Sequence, residues 1–208
     1  MLKASRFVIV LAILGLGTAR SAQAATINFD DIPTPLLDTA VAITNPYQGF
    51  TWTNFFAFDP DTNVYAGSGY ENGIVSPGTA ACNCTGVAAS FSAAAPFSFD
   101  STYISAAWRD GMTVRILGRL LGNTVYDQSI IVNHTGPNLV VFNWVGIDEV
   151  QFASSGGAKA SGLNFDGVQF VIDNVSVNSA AAVPEPSTWL LLGTGVALLT
   201  ARRLKRTT

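Results

Sequence analysis

Two pairs of neighbouring acidic residues, Asp30-Asp31 and Asp148-Glu149, are candidates for acid–base chemistry in this chain. A glycoside hydrolase needs two carboxyl groups roughly 5–9 Å apart across a cleft. Neighbouring residues of a strand point to opposite faces of a sheet, so neither pair can supply both carboxyl groups from one strand. The single histidine, His134, has no Gly-x-Ser-x-Gly motif beside it in the sequence, and we interpret it as an exposed turn residue. The sequence therefore favours a protein that is not an enzyme.

A third acidic stretch, Asp59-Pro60-Asp61-Thr62-Asn63, presents oxygen-bearing side chains at alternate positions, as the start of a calcium loop does. It departs from the EF-hand pattern, because valine follows where that loop needs glycine and no glutamate stands at the twelfth position. We interpret it as a solvated polar turn and keep it as the second-choice calcium site.

Cys82 and Cys84 are the two cysteines of the chain. In an oxidising compartment such a pair favours a disulfide, whereas two thiols and one histidine make a poor zinc site. A bridge across one intervening residue closes a small ring and adds little stability through loop entropy. A disulfide is the favoured interpretation; free thiols, pairing with other molecules, and a metal or redox site are the alternatives.

Tryptophan and tyrosine side chains are the candidate sugar-stacking surfaces. Aromatic residues that alternate with valine or isoleucine in strands are more typical of a core. Tyr65 and Tyr70 instead lie among polar residues in a loop-rich stretch, so we predict that this pair is exposed and binds ligand. The six residues considered are Tyr47, Trp52, Tyr65, Tyr70, Trp108 and Trp144.

The segments that must position these side chains are predicted to be strands, because short apolar runs are separated by Gly, Pro, Asn, Asp and Ser. This pattern is typical of a single antiparallel β-sandwich. In the last strand the apolar face shifts by one residue at Asp173-Asn174, which predicts a β-bulge. The predicted strands are residues 26–29, 49–53, 87–91, 97–99, 102–108, 112–118, 124–132, 139–144, 149–153 and 168–177.

Three connections are also predicted. Residues 54–95 and 154–162 are rich in Gly, Ala, Ser and Asn, which favours surface loops. Asp110-Gly111 predicts the tip of a hairpin between the strands on either side of it.

The amino terminus is typical of a secretory signal peptide over residues 1–24: a basic start, an apolar segment and the cleavage motif Ala22-Gln23-Ala24. We assign residues 25–178 to the sandwich and residues 179–182 to a linker. Residues 25–182 hold 13 acidic and four basic residues, a net charge of −9. Such a surface disfavours nucleic acid, whose binding depends on Lys and Arg, and it leaves room for Ca²⁺.

Residues 183–208 combine Pro184-Glu185-Pro186 with an apolar segment, predicted to be a transmembrane helix at about residues 188–201, and a basic tail at residues 202–206. This order resembles the PEP-CTERM sorting signal of Gram-negative bacteria. The resemblance implies a precursor anchored in the inner membrane, processing by an exosortase, and export toward the cell surface or the extracellular polymer.

Residues 99–108, 141–143 and 170–177 resemble the β-sandwich ectodomains of PEP-CTERM proteins, which in turn resemble galactose-binding-like jelly rolls and carbohydrate-binding modules. The resemblance implies a jelly-roll-like fold with its first and last strands side by side. It also implies a structural Ca²⁺ there, for which Asp30, Asp31 and Asp173 are the candidate ligands.

We therefore expect an exported cell-envelope or extracellular-matrix protein whose non-catalytic sandwich binds polysaccharide. A secreted hydrolase acting on polysaccharide and a purely structural surface protein are the alternatives. The expected partners are an exosortase, the inner membrane before processing, and extracellular polysaccharide, and the one cofactor considered is calcium.

Overall fold

A computed structural model describes residues 23–34, 38–60 and 62–179 of the 208-residue chain. Several sequence predictions lie outside these ranges: residues 1–22 of the signal peptide, Asp61, and the sorting signal with Pro184, Glu185, Pro186 and its transmembrane segment. Within the described ranges, no helix has the length and apolar character needed to cross a membrane.

Antiparallel strands make up most of the described residues, together with two helices of four residues each. The strands are β1 (Gln23–Ile27), β2 (Val41–Ala42), β3 (Thr51–Thr53), β4 (Phe56–Phe58), β5 (Ala80–Cys82), β6 (Ala89–Ala106), β7 (Arg109–Leu120), β8 (Asn123–Val132), β9 (Asn138–Lys159) and β10 (Phe170–Ser179). The helices are α1 (Thr62–Tyr65) and α2 (Gly69–Asn72).

The strands pair in the order β2-β4-β5-β10-β6-β9-β7-β8, with β1 added to β10 and β3 added to β6. Two long strands belong to both layers of the sandwich. Residues 97–106 of β6 pair with β10, whereas residues 90–92 pair with β3. Residues 149–159 of β9 pair with β7, whereas its first half pairs with β6 alone. The predicted all-β antiparallel sandwich is confirmed.

Register shifts and left-handed backbone angles occur where β6 and β9 pass from one layer of the sandwich to the other. The β6–β9 register shifts between Ser92 and Phe97, around a proline that has no backbone N–H to donate to a ladder. On β9, Asn143 and Gly146 adopt left-handed φ angles of 52° and 70°. The sequence pattern breaks at these same positions, which is why these two strands were predicted as five separate segments.

The predicted slip in the last strand is confirmed, because the β10–β6 register shifts between Asp173 and Ser176. Asn174, at the slip, has a φ of 49°. The bulge lets Ile172 and Val175 both lie in the core, although they are three residues apart along the strand.

Two connection predictions were wrong. Asp110-Gly111 is not a hairpin tip: it lies within β7, and β9 separates β7 from β6 in the sheet. Its partner is the stretch predicted as a loop at residues 154–162, most of which belongs to β9. Gly111 and Gly157, with φ angles of 64° and 72°, form an irregularity in this pairing, and glycine permits that geometry at little cost.

The predicted loop at residues 54–95 is also only partly a loop. It contains β4, both helices, β5 and the start of β6, and Phe55, Ala57 and Ala81 are at most 2% exposed. The loop was predicted from the many Gly, Ala, Ser and Asn residues of this stretch. Small residues such as Ala80 and Ala81 are nevertheless buried in the structure.

Phenylalanine rings dominate the core between the layers. Phe91 is fully buried and lies 5.5 Å from the ring of Phe50, 4.9 Å from that of Trp52 and 5.6 Å from that of Phe99. Burying each such side chain contributes roughly 1.5–3 kcal/mol. A second buried cluster lies outside this core and contains Phe58, Tyr70, Ala80, Cys82, Ala107, Trp108 and Val171.

Candidate functional site

Residues of the second cluster form the buried wall of a cavity of about 330 Å³, which we call the aromatic pocket. Small-ligand sites occupy roughly 300–1,000 Å³. The lining residues come from β4, from both helices, and from the segments that precede β2, follow β5, join β6 to β7 and join β9 to β10. They are Asp38, Ala40, Phe58, Tyr65, Tyr70, Cys84, Trp108, Phe165, Asp166 and Gln169.

The ring packing separates a buried wall from an accessible rim. Tyr70 and Trp108 are only 5% and 6% exposed, and their rings lie 5.3 Å apart. Phe165 is 46% exposed, and Tyr65 is half-buried. These two rings are nearly parallel, at an angle of 22° with centroids 6.0 Å apart. Tyr65 and Phe165 therefore form the rim, and Tyr70 belongs to the wall.

The prediction that Tyr65 and Tyr70 form an exposed pair was thus wrong for Tyr70. The structure does bring the two residues together, with ring centroids 5.5 Å apart. Burial, and to a smaller extent Tyr65, raises the pKa of the Tyr70 phenol above its usual value. Tyr70 is thus a neutral packing residue near physiological pH, whereas Tyr65 can meet a ligand.

Glycine at the start of α2 allows this helix to lie directly on the end of β6. A Cβ atom at Gly69 would come within 1.7 Å of the Ala106 carbonyl oxygen. The Gly69 amide donates to the Ala107 carbonyl at 2.8 Å, and the Ser105 hydroxyl donates to the Gly69 carbonyl at 3.0 Å. This close contact places Tyr70, the next residue, against Trp108.

An ion pair lies at the polar side of the aromatic pocket. Arg109 donates to both carboxylate oxygens of Asp166, at 2.7 and 3.1 Å, and to the Gly156 carbonyl at 3.0 Å. Hydrogen bonds from Arg109 lower the pKa of Asp166, so its carboxylate stays charged in mild acid. The Gln169 side-chain oxygen is buried and has no hydrogen-bond partner among the described residues.

Cys82 and Cys84 are joined by a disulfide, with Cα atoms 5.0 Å apart. Cys82 is fully buried, whereas Cys84 lines the aromatic pocket. The intervening Asn83 is buried as well; its side-chain oxygen accepts from the Phe170 amide at 2.7 Å, and its side-chain nitrogen donates to the Val87 carbonyl. The Cys-Asn-Cys segment therefore ties this side of the pocket to the first residue of β10.

Asp30, Asp31 and Asp173 each accept hydrogen bonds from protein donors, and the calcium site expected from these residues stays a prediction. Asp30 accepts from the Thr79 amide at 3.3 Å, and the exposed Asp31 accepts from the Tyr47 hydroxyl. Asp173 is fully buried and turned toward protein donors. Among the described residues, no group of three or more acidic, histidine or cysteine side chains could hold a metal ion.

Protein donors satisfy the buried carboxylate of Asp173. One carboxylate oxygen accepts from the backbone amides of Val75 and Ser76, at 2.7 and 2.8 Å. The other accepts from the Asn174 amide at 2.7 Å, and the Ser76 hydroxyl reaches both oxygens at 3.1 Å. Burial raises the pKa of Asp173, and these hydrogen bonds oppose that rise.

His134 lies in a turn, as predicted, but its side chain is only 16% exposed. Its Nδ1 atom lies 2.7 Å from an oxygen of Asp110. The prediction of an exposed histidine was therefore wrong. Asp110 is part of β7 rather than a hairpin tip, and it lies beside the turn that contains His134. Trp52 and Trp144 lie in the main core, as interpreted, whereas Trp108, which is only 6% exposed, belongs to the second cluster and lines the aromatic pocket.

The end of the sandwich opposite the aromatic pocket leads to the sorting signal. Gln169 of the pocket directly precedes β10, and β10 ends at Ser179, where the predicted linker begins. Residues 182–206 match the PEP-CTERM protein-sorting motif. The chain carries a PEP-CTERM sorting signal. This motif implies export, a membrane-anchored precursor and processing by an exosortase.

A comparison with solved structures found similarity to the following three. A DUF4465 family protein from Bacteroides caccae is 14% identical, with a TM-score of 0.44 and coverage of 74% of this chain and 98% of its own. A CBM4 structure is 18% identical, with a TM-score of 0.30 and coverage of 62% and 94%. TmCBM61, in complex with β-1,4-galactotriose, is 8% identical, with a TM-score of 0.32 and coverage of 63% and 88%. No curated protein matches the chain in sequence.

Proposed function

We propose that this chain is an exported cell-envelope or extracellular-matrix protein whose sandwich binds polysaccharide in the aromatic pocket without cleaving it. Its route is export through the inner membrane of a Gram-negative bacterium, anchoring by the sorting signal, and release by an exosortase to the cell surface or the surrounding polymer.

The rim of the aromatic pocket is the observation that supports binding. The faces of sugar rings are apolar and pack well on aromatic rings, whereas their hydroxyl groups need hydrogen-bond partners at the edge. The half-exposed Phe165 ring offers such a face beside Tyr65, and the accessible carboxylate of Asp166 offers an acceptor next to it.

The charge of the Asp166 carboxylate supports binding without catalysis. Asp38 and Asp166 both line the pocket, and a hydrolase would need one carboxyl group that holds a proton. The pKa of Asp166 is lowered by Arg109, so this group has no proton to donate near neutral pH. It serves better as a hydrogen-bond acceptor for sugar hydroxyl groups.

The test is a pull-down of the full chain, purified in detergent, with the extracellular polysaccharide of its host. Phe165→Ala and Tyr65→Ala should each weaken binding roughly fivefold to thirtyfold, which corresponds to losing about 1–2 kcal/mol. Leu121→Ala is the matched control, since Leu121 is 83% exposed and does not line the pocket. Release of reducing ends would identify a hydrolase, and no retention of the wild-type chain would favour a purely structural protein.

A further inference from the structure

The irregular stretch between β9 and β10 is tied to the sandwich backbone only at its two ends. It consists of residues 161–169, and we call it the rim segment. Just before it, the Ala160 amide donates to the Trp108 carbonyl at 2.9 Å. At its end, the Gln169 carbonyl accepts from the Ala107 amide at 2.9 Å. Between these two bonds, no backbone–backbone hydrogen bond joins the segment to another part of the described chain, so its position depends on its side chains.

The residues of the rim segment do not stiffen it by themselves. Gly162 and Gly167 lie on either side of Phe165, with φ angles of 84° and 151°, and glycine leaves the backbone many alternatives to such angles. Leu163 packs against the second cluster, and the Phe165 ring lies 5.1 Å from the ring of Trp108. Apolar contacts are not directional, so they bury parts of the segment without fixing its course.

Arg109 supplies the directional contact. Its guanidinium donates to the two carboxylate oxygens of Asp166 at 2.7 and 3.1 Å. The Gly167 amide donates to one of the same oxygens at 2.7 Å. A guanidinium presents its donors in a rigid fork that matches a carboxylate, so this contact fixes an orientation as well as a distance. It therefore locates the backbone directly after Phe165.

Arg109 is itself held by the sheet. It is the first residue of β7, and it donates a third hydrogen bond to the Gly156 carbonyl of β9 at 3.0 Å. Gly156 has a left-handed φ of 69°, at the irregularity in the β7–β9 pairing. Arg109 directly follows Trp108 of the pocket wall, but it does not line the aromatic pocket itself. Its side chain thus connects the rim segment to the rigid part of the fold.

From these contacts we propose that Arg109 is the positioning residue of the aromatic pocket: it holds the rim segment so that Phe165 lies beside Tyr65 before a ligand arrives. Groups that are ordered in advance lose less conformational entropy when a ligand binds. Arg109 does not touch the ligand, and it acts through Asp166. The effect on affinity rests on the proposed function, whereas the effect on the rim segment does not.

The first measurement needs no ligand. The full chain in detergent is digested briefly with chymotrypsin, whose apolar pocket accepts large side chains, and mass spectrometry follows cleavage after Phe165. Proteases cut segments that can leave the fold. Arg109→Gln should therefore speed this cleavage roughly twofold to fivefold, the range for one exposed ion pair. Arg109→Lys keeps the charge without the planar fork, and its cleavage rate should lie between those of wild type and Arg109→Gln.

Arg115 provides the matched control, because it makes the same kind of ion pair from the same strand, outside the pocket lining. Its guanidinium donates to both carboxylate oxygens of Asp127, at 2.9 and 2.6 Å. Arg115→Gln should leave both cleavage after Phe165 and polysaccharide binding unchanged. Thermal melts of the two glutamine variants show whether either one loses stability as a whole.

The second measurement is retention of the full chain by the extracellular polysaccharide of its host. Arg109→Gln and Asp166→Asn should each weaken binding roughly twofold to fivefold. The double variant should bind no more weakly than Asp166→Asn alone, because both substitutions remove the same contact. If Arg109→Gln fails to fold, Asp166→Asn breaks the contact from the other side and should give the same faster cleavage.

The two measurements separate the proposals. Cleavage after Phe165 at the wild-type rate in both Arg109→Gln and Asp166→Asn would overturn the positioning role. Losses of affinity that multiply in the double variant would also overturn it, because Arg109 would then act on the ligand independently of Asp166. Faster cleavage together with no retention of the wild-type chain would support the role of Arg109 in the rim segment and contradict the proposed function.

Discussion

Asp173 is a residue that shapes the aromatic pocket without lining it. Its buried carboxylate holds the backbone amides of Val75 and Ser76, which follow α2 closely in the chain. Because α2 carries Tyr70, the contact fixes the segment that presents the wall of the pocket. A carboxylate is well suited to this role, since each of its two oxygens can accept more than one hydrogen bond.

We predict that Asp173→Ala lowers the free energy of unfolding by about 3 kcal/mol, because two backbone amides lose the acceptor that satisfies them in a buried place. At this chain length the Tm should fall by roughly 6–12 °C in a thermal melt. The fall should be the same in millimolar calcium and in EDTA.

Asp31→Ala is the control, because it removes an exposed member of the expected calcium triad and should change the Tm by only a degree or so. The opposite result would be a rise in wild-type Tm with calcium, absent with magnesium and lost in Asp173→Ala. That result would mean that Asp173 binds calcium after all.

At the scale of the element, α2 depends on its contact with the end of β6 rather than on its own stability. A helix of four residues is far below the length at which helices form alone. Its position comes from the absence of a side chain at Gly69, which lets the two backbones hydrogen-bond directly. The pocket wall is therefore held by tertiary contacts.

We predict that Gly69→Ala displaces α2, because a Cβ atom there would lie 1.7 Å from a backbone oxygen that cannot rotate away. The expected loss is about 1–3 kcal/mol of unfolding free energy, the usual cost of overpacking. A thermal melt should show a lower Tm, and polysaccharide binding should weaken because Tyr70 moves with the helix. Val64→Ala, at an exposed position of α1, should change neither quantity. Unchanged melting and binding in Gly69→Ala would show that the contact is not needed.

The strand pattern of the sequence was enough to predict the sandwich and the bulge at Asp173-Asn174, because both depend on local alternation. It was not enough to predict how the strands join. Gly156 and Gly157 suggested a loop, yet this part of β9 pairs with β7. The pairing is possible because Gly111 on β7 also adopts a left-handed φ angle, so both strands are irregular at the same place. Such matches connect residues far apart in the chain, and no local signal shows them.

The site was predictable to a similar extent. Tyr65 and Tyr70 stood out as aromatic residues in a polar stretch, and the structure places both at the aromatic pocket. Phe165, Asp166 and Gln169 were missed, because they lie in an irregular segment and acquire meaning only beside Trp108 and Arg109. Phe165-Asp166, an aromatic residue followed directly by an acidic one in a stretch with Gly and Asn, was the one local signal that could have drawn attention to them.

At the scale of the whole molecule, the sorting signal predicts that a membrane-anchored precursor is processed at this motif. Replacing Pro184-Glu185-Pro186 by alanines should leave the full-length protein in the inner membrane, because the matched motif would lose its defining residues. Immunoblots of membrane and medium fractions measure this. Wild-type protein in a host without exosortase is the control and should accumulate in the same form. Release of the alanine variant at the wild-type rate would show that the motif is not used.

The ten residues of β10 span about 30 Å from the aromatic pocket to the residue where the chain continues toward its anchor. β6 is hydrogen-bonded along one side of this strand, and β5 and β1 share the other. On the proposed function, a pull between polymer in the pocket and the chain after Ser179 would run along β10, which Gln169 directly precedes. The ladder bonds lie across that direction, so they must break together rather than one after another. Such a pull would therefore load β10 in shear, with β6 on one side of it and β1 and β5 on the other.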